Sequence, residues 1–280
     1  MSGKNNEVNR LFIHNAMHLA VILFITLALA VPAASVAATA TGGATDAWQF
    51  EITPYLFAAG LKGQVGLRGV TADVDMSSSE VIDNLDSAFM VLFTARKGRW
   101  SYGLESVDFK ISDEGAKSVS GPFGGVTVDG ALELTTSMNV YQGSIGYRLS
   151  DGATVLDLIG ALRYTRVRAD MNVVLNTTPG IVFPPDNTLS ADGSESWSDA
   201  VIGLRVLYPV AENVSLLGYA DVGAGGSDLT YQLIAGANWE FAQDITAKVG
   251  YRVMDWDYDN DGTVWDMQTS GLYLGLGLQF

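Results

Sequence analysis

The sequence predicts an all-β chain folded as an antiparallel, up-and-down transmembrane β-barrel of about ten strands, with eight or twelve as the alternatives. Three observations predict it. The chain is 48% hydrophobic and only 17% charged, yet past the N-terminal segment no run reaches the ~18 uninterrupted apolar residues of a spanning helix. Apolar and polar residues alternate with period two in several stretches. The links between stretches alternate short and long. A closed barrel suits this pattern, because it pairs every backbone polar group within the sheet and needs one apolar face per strand.

The first residues read as an address. Lys4 and Arg10 precede a charge-free run from Leu19 to Val31, and Pro32 and small residues follow. That tripartite order is a secretory signal peptide, with Ser35-Val36-Ala37 or Ala38-Thr39-Ala40 suiting the cleavage site. The alternatives are an uncleaved anchor, for which the run is short, and a true start at Met17. Residues 1–38 are thus expected to be removed, 39–47 to form a short periplasmic lead-in, and 48–280 to form the barrel. Both histidines, His14 and His18, leave with the signal peptide, and the chain has no cysteine.

Ten stretches have strand character, at 48–60, 87–97, 100–112, 131–148, 153–170, 196–208, 213–224, 228–240, 244–256 and 267–280. The first carries Pro54, which removes a ladder donor. The second and third meet at Lys97-Gly98-Arg99. The third and fourth switch phase near Glu105–Val107 and Tyr141–Gly143, so a bulge is expected in each. In the fifth, after the tight Ser150-Asp151-Gly152 link, Leu156, Leu158, Leu162 and Tyr164 oppose Asp157, Ala161, Arg163 and Thr165. The sixth and seventh join at Val210–Asn213. The eighth sets Tyr231, Leu233, Ala235, Ala237 and Trp239 against Gln232, Gly236, Asn238 and Glu240, and Ala242-Gln243-Asp244 leads into the ninth. In the tenth, Leu272, Leu274, Leu276, Leu278 and Phe280 alternate with Gly271, Tyr273, Gly275, Gly277 and Gln279. Such alternation puts the leucine face in lipid and the small or polar face inside.

Tight links on one side and long ones at 61–86, 113–130 and 171–195 place the turns in the periplasm and the loops outside. Trp48, Trp100, Tyr147, Tyr208, Trp239, Phe241 and Phe280 all fall beside the tight-turn ends, as an interfacial girdle would. Within the long links, 64–76 can form a further hairpin. Ser77-Ser-Ser-Glu80 before Val81, Ile82 and Leu85 can cap a short helix, either folded into the mouth or lying on the surface.

The alternation turns eleven charges inward: Glu105, Asp108, Lys110, Asp157, Arg163, Asp199, Arg205, Asp221, Glu240, Lys248 and Arg252. Six acids and five bases nearly balance, which fits a salt-bridged filling and, alternatively, an ion-selective pore lining. Glu240 is expected to pair with Lys248 or Arg252. The outer links carry fifteen Asp and Glu against Lys62, Arg68 and Lys117. There Asp257-Tyr-Asp259-Asn-Asp261-Gly262 resembles the start of a calcium loop, although Gln268 stands where a bidentate Glu is needed. Calcium or magnesium at these acidic loops is the one cofactor the residues suggest.

A net charge of −15 argues against nucleic acid as a partner. With no cysteine and no histidine in the exported chain, Ser–His and Cys–His nucleophile pairs are impossible. The chain therefore reads as a barrel with a structural or narrow-pore role and not as an enzyme. Its rivals are a soluble ligand-binding β-barrel and a carboxylate-dependent membrane enzyme.

The final residues, Tyr273-Leu-Gly275-Leu-Gly-Leu278-Gln-Phe280, resemble the C-terminal assembly signal of outer-membrane proteins. Trp48-Gln-Phe-Glu-Ile-Thr-Pro54-Tyr-Leu and Lys248-Val-Gly-Tyr251-Arg252 resemble segments of small Gram-negative outer-membrane β-barrels of the OmpA/OmpW-like type, over roughly 48–280. The resemblance implies an outer-membrane location, with Tyr273, Gly275, Leu278 and Phe280 as the assembly signal. It also implies the barrel assembly machinery, periplasmic chaperones, membrane lipid and lipopolysaccharide as partners.

Overall fold

The computed structural model describes residues 47–67, 70–120, 127–175, 188–260 and 262–280. The signal-peptide segment and nearly all of the lead-in lie outside these residues. The elements are β1 (Gln49–Leu67), β2 (Val70–Met76), α1 (Ser78–Asp83), β3 (Leu85–Lys97), β4 (Trp100–Ser120), β5 (Thr127–Asp151) and β6 (Val155–Leu175). They continue with β7 (Thr188–Ala211), β8 (Val214–Gly225), β9 (Leu229–Ala242), β10 (Ile245–Asn260) and β11 (Thr263–Gln279).

Ten of the strands close an antiparallel barrel: neighbours pair from β3 through β11, and β1 bridges β11 and β3. The closing seam runs from Glu51↔Gln279 to Gly66↔Val264. Pro54 leaves its mark there. Ladder partners are missing at Thr53 and Pro54, but the register on either side is unchanged.

The hairpin expected at 64–76 exists without adding strands to the ring. β3 pairs with β1 from Gln49↔Arg96 to Pro54↔Val91, and β2 takes over from Leu61↔Met76 to Leu67↔Val70. β2 also touches β4 at Thr71↔Ser120 and Ala72↔Val119. Thus β2 and β3 share one slot between β1 and β4, end to end, with α1 linking them. The capping box is present: Ser77 accepts from the Glu80 N–H, and the Glu80 carboxylate accepts from the Ser77 N–H. A Cβ on Gly60 would meet the Met76 carbonyl oxygen at 2.7 Å and the Ser78 nitrogen at 3.3 Å, so this crossing requires glycine. Gly60 lies on the face of β1 that carries Leu56, so the chain enters α1 on the outer side of β1, while Val81 of α1 is buried in the same apolar cluster as Leu61 and Met76.

The expected bulges at Glu105–Val107 and Tyr141–Gly143 are absent. β4 and β5 pair without a shift from Trp100↔Tyr147 to Ser120↔Thr127. Register shifts occur instead beside Ser87, Ser150, Ala211 and Thr246, near strand ends. The long loops are shorter than the sequence suggested, because β4 to β7 continue as strands through most of 113–130 and 171–195.

The outer face is apolar. Leu56, Leu104, Leu162, Leu272 and Leu274 are each at least 60% exposed. In water each would forgo about 1.5–3 kcal/mol of burial, so a continuous belt of them belongs in lipid. The aromatic girdle stands at the turn end, with Trp48, Trp100, Trp239, Phe241 and Phe280 exposed. Phe50 stacks on both Trp48 and Phe280 at centroid distances of 5.9 and 5.8 Å. At the other edge of the belt, Tyr141 stacks on Tyr164 at 6.4 Å.

Candidate functional site

The lumen has three tiers, set by what each strand turns inward at each height. In the loop half the inward residues are large and apolar. Trp197 stacks on Tyr258 at 4.1 Å, and Trp256, Trp265, Met138, Met254 and Met267 are buried around them. A gap beside this packing, between Val65, Ile111 and Met267, is about 10 Å³, too small to hold water comfortably.

The middle tier is polar and built on two arginines. Arg252 on β10 donates from Nη1 and Nη2 to the two Glu105 oxygens at 2.9 and 3.2 Å, from Nη1 to the Tyr55 hydroxyl at 2.8 Å, and from Nε to Gln232 at 2.8 Å. Tyr55 in turn donates to Glu105 at 2.6 Å. Arg163 on β6 donates to Gln142 at 2.8 Å, Thr230 at 2.9 Å and Asp221 at 2.7 Å. Tyr219 also donates to Asp221, at 2.7 Å. Charges this deeply buried need such opposite-charge and hydrogen-bond partners to be stable, although Asp221 Oδ1 accepts no hydrogen bond from the described residues. Because the partners come from β1, β4, β5, β6, β8, β9 and β10, the two arginine knots tie opposite walls together.

The third tier is an open vestibule of about 420 Å³ at the turn end. Asp157 is buried beside it, between the lining residues Arg148 and Arg205, its cross-strand neighbours. Arg148 donates to one carboxylate oxygen at 3.3 Å, and Arg205 donates twice to the other, at 3.0 and 2.6 Å. Arg96 approaches that second oxygen at 3.8 Å. Lys248 pairs with Glu51 and donates to Thr53 at 3.1 Å.

Nine of the eleven lumen charges expected from sequence do face inward: Glu105, Asp157, Arg163, Asp199, Arg205, Asp221, Glu240, Lys248 and Arg252. Asp199 is fully buried and accepts from the Ser227 N–H at 2.9 Å. Asp108 and Lys110 do not face inward. Without a bulge in β4 they project from the outer wall, where Asp108 accepts from Ser106, Asn139 and Tyr141, and Lys110 pairs with Asp86 at 3.2 Å. Glu240 pairs with neither expected base, since Lys248 takes Glu51 and Arg252 takes Glu105. The sequence reading missed Glu51, Arg96 and Arg148. Carrying the alternation of β5 straight through Tyr141–Gly143 would have turned Arg148 inward beside Asp157.

The calcium-like motif is not a loop. Asp257 and Asp259 extend along β10 on its outward face, with Asp257 opposite Asp266. Same-face residues on a strand stand about 6.5–7 Å apart, so they cannot wrap an ion as a loop does. Asp261 lies outside the described residues. Among the described residues no group of three or more His, Cys, Asp or Glu is placed to hold a metal.

The C-terminal motif closes the seam. Phe280 and Phe50 exchange backbone hydrogen bonds at 3.0 and 3.1 Å. Leu278 points outward, Gly275 is buried, and Tyr273 points inward across two glycines. A Cβ on Gly236 or Gly250 would stand 2.4 or 2.6 Å from the Tyr273 ring or its hydroxyl, so side chains there would displace it.

A closed ten-stranded barrel with an exposed leucine belt, an aromatic girdle and a polar-knotted lumen has the architecture of a membrane-spanning β-barrel. No family model matches the chain, and no curated protein does. Among solved structures it is similar to the outer-membrane protease OmpT of Escherichia coli, with a TM-score of 0.54 and 12% identity over 84% of this chain and 98% of that one. It is also similar to the translocator domain of the autotransporter NalP of Neisseria meningitidis (TM-score 0.40, 12% identity, 95% and 96% covered). A third is Ail, the attachment invasion locus protein of Yersinia pestis (TM-score 0.34, 9% identity, 84% and 100% covered). At these identities the likeness is one of fold: the chain has the fold of Gram-negative outer-membrane β-barrels.

Proposed function

We propose that the chain is a plugged outer-membrane β-barrel with a structural role, exported through cleavage of its N-terminal segment and inserted by way of its C-terminal signal. The turn end then faces the periplasm, and the acidic loop end faces outward among lipopolysaccharide. The observation that carries this reading is the pair of arginine knots under the aromatic plug. Together they occupy the lumen from wall to wall above the vestibule. The leucine belt argues against the soluble ligand-binding alternative. Enzymatic activity is not part of the proposal. In the middle tier Glu105 and Asp221 are committed to arginine, Asp199 accepts a backbone N–H, and no histidine remains in the exported chain to act as a general base. The protease among the structural neighbours shares only the fold.

Planar-bilayer recording tests this directly. Folded wild-type protein should give no steady conductance. Stable unitary currents would replace the plug with the narrow-pore reading.

A further inference from the structure

We propose that the vestibule binds a phosphate group, presented from the turn end and held by Arg96 and Arg205. One carboxylate, Asp157, faces three guanidiniums, and its three hydrogen bonds come from Arg148 and Arg205. Arg96, at 3.8 Å, is beyond hydrogen-bond distance, and none of its donors meets an acceptor among the described residues. Leaving the fully buried Arg148 aside, Arg96 and Arg205 share Asp157 on this side of the vestibule, whereas Lys248 and Arg252 have Glu51 and Glu105, and Glu212 and Glu240 line the cavity as well. The Arg96 and Arg205 side chains are 22% and 21% exposed, in a cavity too enclosed for bulk water to screen them fully. Among the described residues, the donors left without an acceptor are those of Arg96 and Nη1 of Arg205, and planar guanidinium donors of this kind suit an oxyanion on this side of the vestibule.

The surroundings favour phosphate over carboxylate. Arg96 reaches Asp157 from three strands away, across Ser101 on β4 and Gly146 on β5. A Cβ on Gly146 would lie 2.4 Å from the Ser101 hydroxyl and 2.8 Å from Ile159, so glycine keeps this floor low. Ser101 and Ser144 add hydroxyl donors to the same wall. A carboxylate offers two oxygens, whereas a terminal phosphate offers three and up to two charges, enough for both arginines and a hydroxyl. Ile159, Val155 and Leu207 supply an apolar flank for an organic substituent. The inference stands apart from the plug, since a vestibule can bind whether or not the barrel conducts.

The test is calorimetric titration of folded, full-length exported protein in detergent with inorganic phosphate, phenyl phosphate and benzoate. Saturable binding of phenyl phosphate is expected, at least tenfold tighter than benzoate. Equal affinity for inorganic phosphate would assign the site to the anion alone, and weaker affinity would assign the apolar flank to an organic phosphate. Arg96→Gln should weaken binding at least tenfold. Ser144→Leu, which narrows the vestibule and leaves every cation in place, should weaken it as well and serves if Arg96→Gln does not fold. Absence of saturable phosphate binding, benzoate bound as tightly as phenyl phosphate, or affinity unchanged in both variants would overturn the proposal.

Discussion

The two halves of the lumen solve opposite problems with one set of strands. In the turn half the barrel is inside-out: Lys248 and Arg252 of β10 point inward while Val249 and Tyr251 meet lipid. Beyond Arg252 on the same strand the rule reverses, with Met254, Trp256 and Tyr258 buried inside and Asp255, Asp257 and Asp259 outside. The loop half therefore packs like a soluble protein, around an apolar core with a polar exterior. The arginine knots sit where the two regimes meet. They let a polar lumen end against an apolar one without stranding a charge, and they divide a wet cavity from a dry core.

The sharpest way to break this division is Arg163→Ala. It leaves the buried Asp221 carboxylate with the Tyr219 hydroxyl but no cation, and removing one member of a buried pair typically costs about 3–5 kcal/mol. Thermal unfolding in detergent should shift accordingly, and the double change Arg163→Met with Asp221→Leu should recover most of the loss. If Arg163→Ala unfolds like wild type, the knot does not hold the halves apart.

Leu274→Arg probes the lipid-facing regime, and near the bilayer midplane it should cost about 2–4 kcal/mol. Gly275→Ser is not the silent control that alternation suggests. A Cβ at 275 comes within 3.0 Å of Tyr55 Cβ and 3.1 Å of Thr53 Cγ2, so it should also destabilise, by crowding. Equal tolerance of both in urea unfolding would mean that the facing of β11 is wrong.

The smallest effects separate the vestibule's acids. Glu51→Ala removes the partner of Lys248 and should cost about 1–3 kcal/mol. Glu240→Ala should stay within about 0.5 kcal/mol, because its carboxylate holds neither neighbouring base. A reversed order of unfolding midpoints would restore a Glu240–Lys248 pair.

The regime change also explains what could be read from the sequence. The leucine face of β11, the tight turns, the girdle and nine inward charges were legible because period two has one meaning where lipid lies on one side. Asp108 and Lys110 were misplaced because β4 leaves the lipid near Ser106. Beyond that point outward positions become polar, which mimics a phase switch and invites a bulge. The acidic run at Asp257–Asp261 looked like a loop for the same reason: alternate acids mark a wet outer face as readily as a ligand set. Arg96 and Arg148 were missed because vestibule residues sit next to turns, where any polar side chain passes for a turn residue.

The slot shared by β2 and β3 has its own consequence. Every other position on the barrel wall is one uninterrupted stave, but this one is spliced from two short pieces whose ends are joined by α1. No ladder hydrogen bond of the ring passes through the joint, since β1 pairs with β3 up to Pro54 and with β2 only from Leu61. The circumference is therefore held on both sides of the splice independently, and 77–83 is the stretch of the wall where chain can be lengthened without unzipping a seam.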